Sequence, residues 1–275
     1  MANTPQRLDI DFSITWESGW HVGSGYGTPQ VDRLVRRAGG WDSPAIVPGA
    51  QIKGVLRHRC EQIVAICDPS PGTPLENDMQ HAQHFQVVSP HVTPDPEQRQ
   101  ALIANFVPLK NSLLMVDRLF GTRFQGGCLF VEDARPSRDE AKACKYRSMV
   151  ANRITVDRVT GTARDQRLFS TEVVPQEGNA SLYSRIRARH APDILTQDDD
   201  QFPFEYALLL SGLLGIEALG GEKSTGRGRC RIEISPGVLR WNGRALEIAD
   251  ALAGFDDVEW PSVYQLYREE AESDR

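Results

Sequence analysis

The sequence predicts an α+β domain of the ferredoxin-like kind, an antiparallel sheet with helices on one face, carrying a hairpin and insertions. Three observations lead there. Leu8, Ile10, Phe12, Ile14 and Trp16 alternate with polar residues, the period of a strand buried on one side. Two segments, opened by Pro48 and by Pro203, place apolar residues at three- and four-residue spacing and read as helices. The remaining apolar stretches are short alternating strands, and the order strand, helix, strand, hairpin, helix, strand suits helices laid on one antiparallel sheet.

The first strand is the clearest. After it, Gly19-Trp20-His21-Val22-Gly23-Ser24-Gly25-Tyr26-Gly27 is too rich in glycine for regular structure and suits close approach by a ligand or partner chain. A short segment, Val31 to Arg37, and a turn at Gly39-Gly40 lead to the first helix, whose apolar stripe is Ile52, Val55, Leu56, Cys60, Ile63 and Val64. Residues 68–108 hold seven prolines and read as a long irregular insertion. Leu113 to Phe120 reads as a short helix or turn, and Gly127 to Ala134 as a strand. Arg153 to Val174 reads as two strands around Gly161. The second helix runs through Leu208, Leu209, Leu213, Leu214 and Ile216 and is expected to end at Gly220-Gly221. Cys230, Ile232 and Ile234 alternate with arginine and glutamate in a following strand. The chain thus divides into one domain over residues 1–240, with the insertion at 68–108 and a hairpin at about 150–178, and an acidic extension over 241–275.

Composition excludes some classes and misleads on another. The 275 residues are 40% hydrophobic and 25% charged, enough for a core, and no apolar run approaches the ~20 residues of a membrane span. Met1 to Gln6 is polar, unlike a signal peptide, and five scattered cysteines without a CxxC pair suit a reducing compartment, so a cytoplasmic location is expected. A net charge of −6 argues against a polyanionic partner, but the charge is segregated: −3 over residues 1–134, +6 over 135–190 and −9 over 191–275. The basic block, rich in arginine, overlaps the predicted hairpin. It reads either as a solvated arginine face or as a phosphate-binding one.

Two nucleotide motifs fail. Gly220-Gly221-Glu222-Lys223-Ser224 has Glu222 where a P-loop needs glycine, and a helix precedes it. Gly23, Gly25 and Gly27 lack the G-x-G-x-x-G spacing. His58, Cys60, Cys67, His81, His84 and His91 gather loosely around the insertion and hold enough donors for a zinc ion, but Cys60 lies on the apolar stripe of its helix, so a structural zinc stays outside the expectations.

Three stretches together resemble the RAMP superfamily of CRISPR-associated proteins, and especially the repeated backbone subunit of type III effector complexes. Trp20 to Gly25, then Val31-Asp32, then Ile46-Val47-Pro48-Gly49-Ala50-Gln51-Ile52-Lys53-Gly54-Val55-Leu56-Arg57 are similar to the family's opening loop and its "IPGSSLKGxLR" helix. Asp117-Arg118-Leu119-Phe120-Gly121 resembles its "LFG" turn, and Leu219 to Gly228 its glycine-rich loop. The pieces occur in family order across residues 8–234, and the hairpin around Arg153 to Gly161 is similar to the family's thumb. The cysteine pairs that some members use for zinc are lacking, and the chain after about residue 240 matches no part of the family.

The resemblance implies an RRM-like fold that binds a CRISPR guide RNA, stacked with other Cas subunits and further copies or paralogues of itself. It also implies that Asp32 is the loop acid that cleaves complementary target RNA, by stabilising in-line attack of a 2′-hydroxyl with a bound Mg²⁺ or Mn²⁺. RNA contacts are expected from His21, Ser24, Lys53, Arg57, Arg153, Arg158, Lys223, Ser224 and Arg227, with Leu168 or Phe169 wedging between bases. The helix start at Pro48-Gly49 is expected to offer free N–H groups to a phosphate. The alternatives are a non-catalytic RNA-binding scaffold of the same kind of complex, with Asp32 an exposed loop aspartate, and a guide-processing endonuclease built on a histidine such as His21 or His58.

Overall fold

The computed structural model describes residues 7–67, 95–98, 115–121, 126–137, 139, 148–176, 181–188, 202–235 and 237–256. The proline-rich insertion lies outside these apart from 95–98, as do His81, His84, His91 and the acidic ends at 191–201 and 257–275.

Strand β1 (Leu8–Trp16) is the centre of the main sheet, and every second residue, from Leu8 to Trp16, is buried. One edge of β1 pairs with β5 (Leu182–Ala188), which pairs in turn with β2 (Leu129–Val131). Its other edge pairs near the start of the strand with β7 (Leu239–Trp241) and near its end with β6 (Cys230–Glu233). All pairings are antiparallel, and the spatial order β2-β5-β1-β6 with a helix after β1 and another after β5 is the ferredoxin-like arrangement. A two-residue strand, β8 (Arg244–Ala245), extends the β7 edge.

The buried face of the sheet is covered by helices α1 (Gly49–Cys67) and α3 (Phe204–Leu214), with the short α2 (Met115–Phe120) beside α1. Helix α3 is buried nearly all round because it lies among the sheet, α1 and a last helix, α4 (Ile248–Asp256). A Cβ on Gly212 of α3 would lie 2.7 Å from the Cys60 sulfur, so glycine there is what lets α1 and α3 approach. Cys60 is wholly buried and burial pushes its thiol up, so it is a core residue and not an accessible metal ligand. Trp241 packs edge-on against Phe202 and Tyr206 at the other end of α3, with the Tyr206 and Trp241 rings 5.5 Å apart.

Four details differ from the sequence expectation. Helix α3 ends at Leu214, capped by Gly215, and Gly220-Gly221 belong to the loop beyond. Strand β5 was not anticipated, although Leu182, Ser184, Ile186 and Ala188 alternate inward; the interposed Arg185 and Arg187 made the stretch read as charge. The basic block therefore does not sit on the hairpin alone: Arg185 and Arg187 lie on the open sheet face, bound to Asp11 and Glu132. Finally, the chain from 244 to 256 forms β8 and α4 and packs on the domain, with Ala251 buried.

The thumb is a separate two-stranded ribbon of β3 (Met149–Val156) and β4 (Ala163–Val173). Its outer half is exposed, and Leu168 and Val159 are 68% and 94% accessible, whereas Thr171 to Val173 are buried where the ribbon meets the body. The tip is closed by Asp157, which accepts the N–H groups of Val159 and Thr160; these bonds hold its carboxyl below the usual range.

Candidate nucleic-acid interface

Three stretches far apart in sequence converge at the base of the thumb. The loop after β1 exchanges two backbone bonds with β4, Trp20 N–H to Val174 O and Val174 N–H to Trp20 O, each 2.9 Å. Further along the same loop, Arg33 runs parallel to β4: its N–H donates to Ser170 O, and its carbonyl accepts from Glu172 N–H. The glycine-rich loop closes from the third side through Gly221 N–H to His21 O at 2.8 Å and Gly228 N–H to Gly19 O at 2.9 Å. Gly220 has a φ of +92°, and a Cβ there would lie 2.4 Å from His21 O, so the loop can come this close only with glycine.

Asp32 is exposed, and its loop is fastened to the thumb. Its Oδ2 accepts the Ser170 N–H at 2.7 Å, and its own N–H donates to Ser170 Oγ at 3.1 Å. The Ser170 N–H first, and its hydroxyl second, hold the Asp32 carboxyl below its ordinary value, so it is an anion at neutral pH. The Arg33 guanidinium lies 5.7 Å from the ring centre of Phe169, one residue before Ser170.

Glu172 binds the same junction together from inside. Its carboxylate accepts the Val35 N–H at 2.9 Å and is bound to Arg37 and Ser148. Burial alone would raise its pKa, but the Ser148, Val35 and Arg37 bonds outweigh that and hold it below the usual range. His21 is only 5% exposed, and its Nδ1 donates to the Glu172 carbonyl at 2.7 Å, so it braces the loop from within.

On the glycine-loop side, Glu222 accepts Arg153 of β3 at 3.0 Å and Arg227 at 2.7 Å, tying the thumb to the loop. Lys223 and Ser224 are exposed beside it, Arg158 is exposed near the thumb tip, and Ser24 is half-buried, accepting the Tyr26 N–H.

Thus His21, Ser24, Asp32, Arg153, Leu168, Phe169, Lys223, Ser224 and Arg227 share one region formed by the first loop, the thumb and the glycine loop. Lys53 and Arg57 do not join it. Lys53 donates to the Leu129 carbonyl, and burial holds its pKa down. Arg57 binds the fully buried Asp117, the Gly121 carbonyl and Glu61, which fastens the "LFG" turn to α1. The helix start is occupied as well: the Gly49 N–H donates to Asp133 Oδ1 at 2.9 Å, and this bond holds the Asp133 carboxyl below its usual range.

Sequence reasoning missed Ser170, Glu172 and Glu222. Only Glu222 left a local trace, as the acid in a run of glycines and cations. Among the described residues no group of three or more His, Cys, Asp or Glu side chains comes together as a metal cage, and no helix is long and apolar enough to cross a membrane.

The ferredoxin-like sheet, the thumb inserted between β2 and β5, and the glycine loop closing on the first loop form one pattern, and the family model of the RAMP superfamily matches residues 13–231. The chain belongs to the RAMP superfamily. The match runs from the middle of β1 into β6 and so takes in the thumb, the Asp32 loop and the glycine loop. No curated protein matches the chain with significance. Membership of the RAMP superfamily carries a CRISPR-associated, RNA-binding role in complexes with RNA and other Cas subunits, in a superfamily that includes some nucleases.

Proposed function

We propose that this RAMP protein is a guide-RNA-binding backbone subunit of a type III CRISPR effector complex, and that it cleaves complementary target RNA in a metal-dependent manner with Asp32. The observation that supports the reading is the bond between Asp32 and Ser170: an exposed, ionised carboxylate is held on the thumb strand directly after Leu168 and Phe169.

In this reading Leu168, exposed on the thumb, inserts between bases of the guide–target duplex and splays a nucleotide, while Asp32 lies beside the distorted phosphodiester. The target's 2′-hydroxyl then attacks the adjacent phosphorus in line and gives its proton to solvent, while the P–O5′ bond breaks and the departing 5′-oxygen takes a proton from solvent, giving a cyclic phosphate and a 5′-hydroxyl. Asp32 offers one hard, anionic oxygen donor of the kind that would hold a Mg²⁺ or Mn²⁺ ion. When bound, such an ion would supply positive charge where the phosphorane develops negative charge. Guide sequence need not be read by the protein, since target choice belongs to base pairing.

The second reading is a non-catalytic scaffold, and the same bond is the observation in its favour: an Asp32 oxygen already held by the Ser170 N–H serves as a fastener for the thumb. The two are separated by assembling the complex on guide RNA and adding complementary RNA with Mg²⁺. Catalysis by Asp32 requires Asp32→Ala to retain target binding and lose at least about a hundredfold in cleavage rate. Equal cutting by wild type and variant removes Asp32 from the chemistry; binding without cutting by either leaves the scaffold.

A further inference from the structure

Glu222 is an anomaly in the glycine loop. Its backbone has φ +60°, in the left-handed region where Gly220, Gly226 and Gly228 of the same loop also lie and where a side chain is disfavoured. An acidic residue held in such a conformation is an outlier that asks for a role. Its carboxylate is only 10% exposed, and a single oxygen, Oε2, receives both Arg153 at 3.0 Å and Arg227 at 2.7 Å. Arg153 also donates to Thr225 Oγ1 at 3.2 Å, and Lys223 stands exposed beside the cluster.

Two guanidiniums on one carboxylate leave a net positive charge. Their convergence on a single oxygen is poorer than the two-oxygen recognition that guanidinium groups make with phosphate. A phosphodiester carries one negative charge spread over two non-bridging oxygens, enough to receive one arginine on each. The anion in the structure is thus of the right charge for a phosphate and of less suitable shape.

We propose that the Glu222 carboxylate is an intramolecular stand-in for one backbone phosphate of RNA, and that Arg153 and Arg227 form a phosphate site which RNA enters by displacing it. The proposal rests on the RNA-binding reading above and adds to it the occupant that RNA must compete with. It also gives the thumb two states. With Glu222 in place, β3 is tied to the glycine loop; with a phosphate in place, the tie runs through the RNA itself.

The test is a titration of the full chain with a fluorescein-labelled single-stranded RNA at several salt concentrations, for wild type, Glu222→Gln and Glu222→Gly. Glycine suits the left-handed backbone, so the second variant removes the acid without straining the loop. Both variants are expected to bind RNA about threefold to tenfold more tightly, the scale of one unfavourable charge removed. The double variant Arg153→Gln with Arg227→Gln is expected to weaken binding, to flatten the salt dependence, and to abolish the gain from Glu222→Gln. Equal or weaker binding by the Glu222 variants, with wild type binding RNA normally and circular dichroism unchanged, would show Glu222 to be only a brace and overturn the proposal. No salt-dependent binding by wild type or any variant would overturn the RNA-binding reading and this proposal together.

Discussion

The Asp32 carboxylate accepts the backbone N–H of Ser170 at 2.7 Å, across 138 positions of sequence. With the two backbone bonds that Arg33 makes to Ser170 and Glu172, it ties the first loop to the thumb strand. Because the backbone donor is the first cause of the lowered Asp32 pKa, Ser170→Ala should leave that pKa below the ordinary aspartate value of 3.8. Carboxyl-carbon NMR titration of the two proteins checks this. A return to the ordinary value would mean that the hydroxyl, not the backbone, holds the charge.

Arg57→Ala should act on stability rather than on RNA affinity. Asp117 is fully buried and faces Arg57 at 2.7 Å, so removing the guanidinium takes a charged partner from a buried carboxylate. Breaking such a pair costs about 3 kcal/mol. Denaturant unfolding is expected to show that loss, while the salt dependence of RNA binding keeps its wild-type slope. A changed slope with wild-type stability would assign Arg57 to the RNA.

Glu172→Gln should destabilise the thumb base in a pH-dependent way. The carboxylate faces Arg37, whose side chain is itself mostly buried, and the substitution leaves that cation uncompensated at a cost of about 3 kcal/mol. The folded pKa of Glu172 lies below its ordinary 4.5, so its contribution is complete above that value and fades as the pH falls through the folded pKa. Wild type and variant should therefore differ most near neutrality and converge in acid. A constant difference across that range would place the effect on packing instead of charge.

Gly220→Ala tests the contact between the glycine loop and the first loop. The new Cβ would meet the His21 carbonyl at 2.4 Å at a backbone φ of +92°. Strain and clash together should cost more than the ~1 kcal/mol at stake in compatible glycine replacements. Gly226→Ala, whose φ of +85° is equally left-handed but whose Cβ meets nothing within 4 Å, is the control for strain alone. Equal destabilisation of the two would mean that the close approach to His21 carries no energy.

Much of this protein was legible along the chain. The alternation from Leu8 to Trp16, the apolar stripe of α1 and the buried run of α3 each declare an element through its own period, because burial on one face repeats with local geometry. Asp32, Arg153 and the glycine loop were singled out by the family resemblance, and the hairpin by two alternating segments around Gly161.

Only the tertiary structure decided which charges face solvent and which face each other. Lys53 and Arg57 look alike on a helical wheel, yet the Leu129 carbonyl and the buried Asp117 claim them, since a polar group near the core must be partnered where it lies. Arg185 and Arg187 belong to the open sheet because β5 pairs with β1, not because of their neighbours in sequence. The ties of Asp32 to Ser170 and of Glu222 to Arg153 span long stretches of chain, and no local pattern encodes a bond between residues that meet only when the sheet, the thumb and the loop have closed. Sequence determined the parts and their order; packing determined which carboxylate holds which partner.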